Sequence, residues 1–134
     1  MSGRYQAEFG NRPRLLLAYA DAAYASESGR YFRRLGWEVQ MVASGTEARA
    51  LAHAYRPLVV VLDAELLDES GWLTSAKIST ENPDVRIILV ADESSDQTQD
   101  RLRMVGASES VKRSHGAEAL ALAVLGKPCL AEAV

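Results

Sequence analysis

The sequence has little cysteine and no long hydrophobic run. Cys129 is the single cysteine among 134 residues, so no disulfide can form within the chain, and this suits a reducing compartment. The longest apolar runs, such as residues 57–62, are far shorter than the roughly 20 residues that span a bilayer. The leading segment, MSGRYQAEFGNRPR, lacks the apolar core of a signal peptide. These absences predict a cytoplasmic protein with no membrane partner.

An excess of basic charge is also missing. The formal net charge is -3, with 15 Lys and Arg against 18 Asp and Glu. Nucleic-acid binding needs a basic face that neutralises phosphates, so the composition argues against nucleic acid as a partner. The sequence contains no glycine-rich phosphate loop, no GxSxG nucleophile elbow and no HExxH zinc motif. It therefore predicts a binding protein and not an enzyme.

The sequence does contain a fivefold alternation of strand and helix patterns. Strand-like runs are predicted at residues 14–20, 37–42, 58–62, 86–90 and 108–112. A helical pattern follows each of them, at residues 22–35, 46–55, 71–80, 97–105 and 117–125. We expect one domain at residues 13–126, between a flexible leader at 1–12 and a C-terminal tail at 127–134.

Strand–helix units of this size predict a parallel sheet. The run LVVVL at residues 58–62 is continuous and rich in valine, as in a central strand covered on both faces. Five right-handed units favour a flavodoxin-like, doubly wound α/β fold with strand order 2-1-3-4-5 and helices on both faces. Ligand sites in such sheets lie outside the carboxyl ends of the strands. The residues expected there are 19–21, 63–65, 91–93 and 112–114.

Several segments, in their order and spacing, resemble the receiver domain of two-component response regulators. These segments are LGWEVQMVASGTEA, RPLVVVLD, RIILVAD and GASESVKRS, and Gly71 lies eight residues after Asp63. The resemblance covers roughly residues 14–125. It implies a stand-alone signalling module in a phosphorelay, with a phosphoryl-accepting carboxylate at the end of the third strand. Asp63 matches that phosphoacceptor position.

The metal-binding part of the resemblance is incomplete. The family holds Mg²⁺ with two adjacent acids after the first strand, and without a gap these positions fall on Tyr19 and Ala20. A one-residue slip would make Asp21 the second acid, although an Asp at such a position is more often a helix N-cap than a metal ligand. Mg²⁺ prefers hard oxygen ligands in octahedral geometry. We therefore expect Mg²⁺ to bind weakly or not at all, with Asp21 and Asp63 as the remaining candidate ligands.

The switch positions implied by the resemblance are also altered. The Ser or Thr that ends the fourth strand in the family is replaced by Ala91, which has no hydroxyl. The aromatic switch position on the fifth strand falls on Ser110, and the Lys at its end falls on Arg113, beside Lys112. Such departures are typical of an atypical receiver or pseudo-receiver.

Arg113 and Asp63 are expected to interact directly. A carboxylate at a crowded strand end needs hydrogen-bond partners, and a guanidinium is a planar donor fork suited to it. We therefore predict a contact of roughly 2.7–3.2 Å between Asp63 and Arg113. Lys112 is the competing partner if the fifth strand ends one residue early. Glu65 adds negative charge at the mouth of the same site and is otherwise a solvated rim residue.

Three functional hypotheses follow. The first is a receiver-like module that acts by protein–protein interaction, with a histidine kinase or a downstream effector as partner. It includes a possible homodimer through the fourth helix, fifth strand and fifth helix, because the fifth helix, AEALALAVL, is apolar nearly all round. The second is a phosphorylation-competent response regulator that accepts phosphate on Asp63. The third is a small-molecule-binding flavodoxin-like domain, since fold does not fix function.

Overall fold

The computed structural model describes residues 12–92 and 98–126. The strands are β1 (Arg14–Ala18), β2 (Glu38–Val42), β3 (Val59–Asp63), β4 (Arg86–Ala91) and β5 (Glu109–Lys112). The helices are α1 (Ala22–Arg34), α2 (Gly45–Ala54), α3 (Gly71–Glu81), α4 (Thr98–Met104) and α5 (Gly116–Leu125), and a 3₁₀ turn (Arg113–His115) precedes α5. Predicted segments 1–11, 93–97 and 127–134 lie outside the described residues.

All five strands are parallel, and they pair in the order β2-β1-β3-β4-β5. The predicted flavodoxin-like topology is therefore confirmed. Within the described ranges, no helix is both long enough and apolar enough to cross a membrane.

Two hydrophobic layers cover the two faces of the sheet. Alternate side chains of each strand point to opposite faces, so neighbours such as Leu15 and Leu16 enter different layers. Leu15 packs with Phe32 of α1 and Leu120 of α5. Leu16 packs in the second layer, whose helical members are Ala48 and Ala52 of α2, Ile78 of α3 and Leu102 of α4. The central strand β3 is covered by both layers, and this accounts for its continuous valine-rich sequence.

Each strand differs from its predicted bounds by one or two residues, and β1 and β3 show why. β1 ends at Ala18 and not at residue 20: the Tyr19 backbone N–H still donates to Val42 O at 3.0 Å, and then the chain turns into α1. β3 begins at Val59: the preceding Leu58 is 61% exposed, although its N–H still donates to Arg14 O at 2.9 Å. The valine-rich run was therefore predicted one residue too early.

Helix α4 is anchored on α3. Ser75 Oγ and Ser79 Oγ donate to the carbonyl oxygen of Val105, at 2.8 Å and 3.1 Å. At the other side of this contact, the guanidinium of Arg101 lies 4.1 Å from the centroid of the Trp72 ring. A cation held over an aromatic face is attracted by the ring quadrupole. These contacts hold α4 against α3.

Candidate functional site at the carboxyl edge of the sheet

A cleft of about 350 Å³ opens at the carboxyl edge of the sheet, where the segments that follow β1, β3, β4 and β5 meet. Its lining residues are Ala20, Asp21, Asp63, Glu65, Leu66, Asp92 and Arg113. This is the edge at which ligand sites form in doubly wound sheets. The predicted site residues Asp21, Asp63, Glu65 and Arg113 are thus brought together.

Asp63 lies at the base of this cleft. It is the last residue of β3 and is only 3% exposed. One carboxylate oxygen, Oδ1, accepts a hydrogen bond from the Glu65 backbone N–H at 3.0 Å and lies 2.8 Å from Arg113 Nη2. A buried carboxylate is costly unless its oxygens are paired. The backbone turn after β3 and the arginine together provide that pairing.

Gly71 brings the start of α3 against the Asp63 backbone. A Cβ at position 71 would collide with the carbonyl oxygen of Asp63. The Gly71 N–H instead donates to Ala64 O at 2.8 Å. A side chain at this position would push α3 away from β3, and this accounts structurally for a glycine eight residues after Asp63.

Arg113 contacts three groups at once. Its Nη2 pairs with Asp63, its Nε lies 3.1 Å from Asp92 Oδ1, and its guanidinium lies 4.9 Å from the centroid of the Tyr24 ring. The hydrogen bond to Asp63 raises the pKa of Arg113 above its usual value, and nearby Asp92 acts in the same direction. The predicted Asp63–Arg113 contact is confirmed. Lys112 is not the partner; it lies in β5, in register with Ala91 of β4.

Tyr19 does not reach the cleft. Strand alternation sends its side chain into the layer beneath α1, where it is 1% exposed. Its ring packs edge-on against Tyr24, with the centroids 4.7 Å apart. None of the residues that the structure describes is a hydrogen-bond partner of the Tyr19 hydroxyl by distance and angle. Burial raises the pKa of Tyr19 well above its usual value, and Ser28 offsets this only in part.

The remaining acid near β1 is used as a helix cap. Asp21 Oδ1 accepts hydrogen bonds from the backbone N–H groups of Ala23 at 2.9 Å and Tyr24 at 3.2 Å. This satisfies free donors at the start of α1. Within residues 12–92 and 98–126, no group of three or more His, Cys, Asp and Glu side chains is arranged to hold a metal ion. Of the two candidate Mg²⁺ ligands, Asp21 thus caps α1 and Asp63 is paired with Arg113.

Two further predicted positions lie on the strands that flank the site. Ala91 ends β4 and is partly buried. Ser110 is partly buried in β5, in register with Leu89. Their positions follow from the sheet register, while their role as altered switch residues stays a prediction.

Hydrogen bonds that no sequence pattern predicted join the loop after β3 to the start of α2. Asp68 Oδ1 accepts from the Gly45 N–H at 2.6 Å, and Oδ2 accepts from the Thr46 N–H at 3.0 Å and from Thr46 Oγ1 at 2.6 Å. These bonds, led by that of the Thr46 hydroxyl, lower the pKa of Asp68 to about 2. An anion at a helix N-terminus is stabilised by unpaired N–H groups.

The same loop is fixed to α3. Glu69 Oε1 lies 2.8 Å from Lys77 Nζ, and its other oxygen accepts from the Thr74 hydroxyl. These bonds, with that of Lys77 first, lower the pKa of Glu69. The loop after Asp63 is therefore attached at one point to α2 and at another to α3.

The sequence model of the response regulator receiver domain family matches residues 17–125. The chain belongs to this family. It is thus the receiver domain of a two-component response regulator, and the resemblance drawn from the sequence is confirmed. Receiver domains interact with histidine kinases and effectors, and they commonly bind a divalent metal ion at the phosphorylation site.

Among relatives with known roles, the probable transcriptional regulatory protein TcrX of Mycobacterium tuberculosis is 37% identical over 67 residues. That match covers 50% of this chain and 28% of TcrX, so the matched part is well under two thirds of that relative.

Solved structures of similar fold include the chemotaxis protein CheY4 of Vibrio cholerae, with a TM-score of 0.81 and 18% identity over 87% of this chain and 99% of that one. A Burkholderia pseudomallei response regulator with a phosphorylated aspartic acid and a calcium ion has a TM-score of 0.76 and 23% identity. That match covers 84% of this receiver and 66% of the other chain. At such identities the likeness shows the fold alone.

Proposed function

We propose that this receiver is a signalling module that works in the cytoplasm by binding partner proteins and is not an enzyme. In this proposal Asp63 keeps the phosphoacceptor position, while the metal and switch parts of the site are degenerate. The observation that carries the proposal is the 2.8 Å ion pair between Asp63 and Arg113. A histidine kinase or a downstream effector is the expected type of partner.

Arg113 supports this proposal because it supplies the positive charge that a metal ion would otherwise supply. A guanidinium stays protonated at all physiological pH values. A divalent cation at Asp63 would share the carboxylate with Arg113, which already engages Oδ1, and Asp21 could help only by giving up its role as the cap of α1. The same pair makes attack by Asp63 on a phosphodonor harder, because one of its two carboxylate oxygens is already engaged and the guanidinium draws charge from the carboxylate.

The second candidate is a phosphorylation-competent regulator, and the cleft itself favours it. Asp63 lines an open cleft, and Arg113 is a donor fork of the type that stabilises phosphoryl oxygens. The Burkholderia pseudomallei structure carries a phosphorylated aspartic acid together with calcium. For this receiver, the alternative requires Arg113 to move from the carboxylate onto the phosphoryl group.

The partner surface we propose is formed by α4, β5 and α5. Leu122 and Leu125 of α5 are 43% and 51% exposed, and Met104 at the end of α4 is 83% exposed. Exposed apolar side chains that share one face of a fold are typical of interaction sites. A homodimer through this face is the version of the proposal that purified protein can test directly.

The test is incubation with acetyl phosphate, with and without Mg²⁺, followed by intact-mass spectrometry. The proposal predicts little phosphoryl transfer to the wild type and no response to Mg²⁺. Mg²⁺-dependent, near-stoichiometric labelling that disappears in Asp63→Ala would establish the second candidate instead. Asp92→Ala serves as the matched control, since it removes a carboxylate from the same cleft without removing the acceptor.

A further inference from the structure

A second groove lies between α1 and the edge strand β2, away from the Asp63 cleft. It has a volume of about 500 Å³ and is lined by Ser26, Arg30, Arg33, Arg34 and Met41. The two clefts share no lining residue. This α1–β2 groove therefore needs its own explanation.

The walls of the groove are strongly basic. Three arginines within five positions of α1 line it, and no acidic residue does. Arg33 Nη2 donates to Val39 O at 3.2 Å, which holds that cation against β2. Arg30 and Arg34 are exposed and form no ion pair within the described part of the chain. The net charge of the protein is -3, so the positive charge of this groove is opposite in sign to that of the whole chain.

The groove also contains an accessible apolar side chain. Met41 is 37% exposed. A Cβ at Gly29 would lie 2.9 Å from Met41 Sδ, so the glycine leaves the space in which this methionine lies against α1. Methionine adapts its shape to different apolar partners. The groove thus combines unpaired cations with one adaptable apolar contact.

β2 is an edge strand, but the groove does not fit an added strand. The Val39 carbonyl on the outer edge already accepts a bond from Arg33. A ligand would therefore contact side chains and not extend the sheet. Nucleic acid is the less suitable ligand, because three cations neutralise few phosphates and Met41 matches no part of a backbone.

We propose that the α1–β2 groove binds an acidic segment of a partner protein. Carboxylates of that segment pair with Arg30 and Arg34, and an apolar side chain between them packs on Met41. Opposite charge at such a site mainly determines the choice of partner and the rate of association. None of these residues lines the Asp63 cleft, so the interaction needs no direct contact with the phosphoacceptor position.

The probe is a fluorescent peptide of about eight residues in which glutamates flank a central leucine, and binding is followed by fluorescence anisotropy. We expect saturable binding that weakens as salt rises, with amide shift changes concentrated in α1 and β2. Arg30→Glu/Arg34→Glu should weaken binding by about tenfold or more. Replacing the central leucine by serine should also weaken binding, while Met41→Leu should retain it.

The matched control is Arg49→Glu/Arg103→Glu, which makes the same change in net charge at exposed positions on α2 and α4. It should change peptide affinity by less than about twofold, and circular dichroism should show all variants folded. The proposal is overturned by absence of wild-type binding at millimolar protein, by an equal loss in both double variants, or by tighter binding of an oligonucleotide of the same charge.

Discussion

The ion pair between Asp63 and Arg113 joins a buried anion to a more accessible cation. The Asp63 side chain is 4% exposed and that of Arg113 is 28% exposed, and their nearest atoms are 2.8 Å apart. Removal of the cation leaves a buried carboxylate without its counter-charge. We expect Arg113→Ala to lower the free energy of unfolding by about 2–3 kcal/mol in urea titrations.

The double variant Asp63→Asn/Arg113→Ala is expected to lose less stability than the two single variants added together, with a coupling of at least about 1 kcal/mol. Lys112→Ala is the control, because this neighbouring cation makes no ion pair with a described residue, and it should cost less than about 0.5 kcal/mol. Strict additivity of the two single effects would mean that the pair contributes nothing.

Two substitutions at the cleft should together raise the affinity for Mg²⁺. We expect the wild type to bind Mg²⁺ with a dissociation constant above about 1 mM, because Asp21 caps α1 and Arg113 occupies Asp63. Ala20→Asp/Arg113→Ala adds a carboxylate at the cleft and removes the competing cation, so it should bind more tightly by about tenfold. Amide shifts in a Mg²⁺ titration measure both constants.

Ala50→Asp/Arg113→Ala is the control for this titration, since it adds the same charge on the exposed face of α2. It should bind more weakly than Ala20→Asp/Arg113→Ala. Saturable wild-type binding below about 1 mM would show that the present ligand set is sufficient.

The hydrogen bonds that Asp68 accepts from the start of α2 should make a contribution to the free energy of unfolding that is lost in acid. The folded protein lowers the pKa of Asp68 from 3.8 to about 2. The ionised form is thus favoured by folding, so this contribution is fully present above about pH 4 and is lost as the pH falls through about 2. The difference in unfolding free energy between wild type and Asp68→Asn should therefore shrink as the pH is lowered across this window.

Asp84→Asn is the comparison for this pH series. Asp84 is exposed and makes no hydrogen bond or ion pair with the described residues. Its substitution should leave the pH dependence unchanged. If Asp68→Asn and Asp84→Asn follow the same curve, the bonds to Gly45 and Thr46 do not stabilise the fold in solution.

Two tyrosines should respond in opposite directions to removal of the hydroxyl. The buried Tyr19 hydroxyl has no partner among the described residues, so Tyr19→Phe should leave stability unchanged or raise it by up to about 1 kcal/mol. Tyr55 Oη donates to Glu38 O at 2.9 Å, so Tyr55→Phe should lower stability by about 1 kcal/mol. Thermal unfolding measures both. Marked destabilisation by Tyr19→Phe would indicate a bound water or another partner at that hydroxyl.

The fold could be predicted from the sequence because its signals are local. Valine-rich runs, glycine stops and the Ser44–Glu47 capping pair each depend on a few neighbouring residues, and Ser44 Oγ does accept from the Glu47 N–H at 3.1 Å. The Asp63–Arg113 contact could also be predicted, because Asp63 ends one strand and Arg113 follows another at the same edge of a parallel sheet.

The rest of the site depends on tertiary structure. Asp68 contacts Thr46 across 22 positions, and no sequence pattern marks that pair. Asp92 and Tyr24 meet Arg113 because the 3₁₀ turn directs its side chain toward α1 and the end of β4. The resemblance to receiver domains places Tyr19 where the family has a metal-binding acid, yet the alternation of side chains along β1 directs it into the core.

The contact between Trp72 and Arg101 provides an optical reporter. The chain has two tryptophans: Trp37 is buried at 7% exposure beside Phe32, whereas Trp72 lies partly exposed beneath a guanidinium carried by α4. If a partner displaces α4 from α3, the emission of Trp72 will change while that of Trp37 stays as an internal reference. With Trp37→Phe the signal would come from one side chain, and partner binding to unlabelled protein could be timed in a stopped-flow fluorimeter.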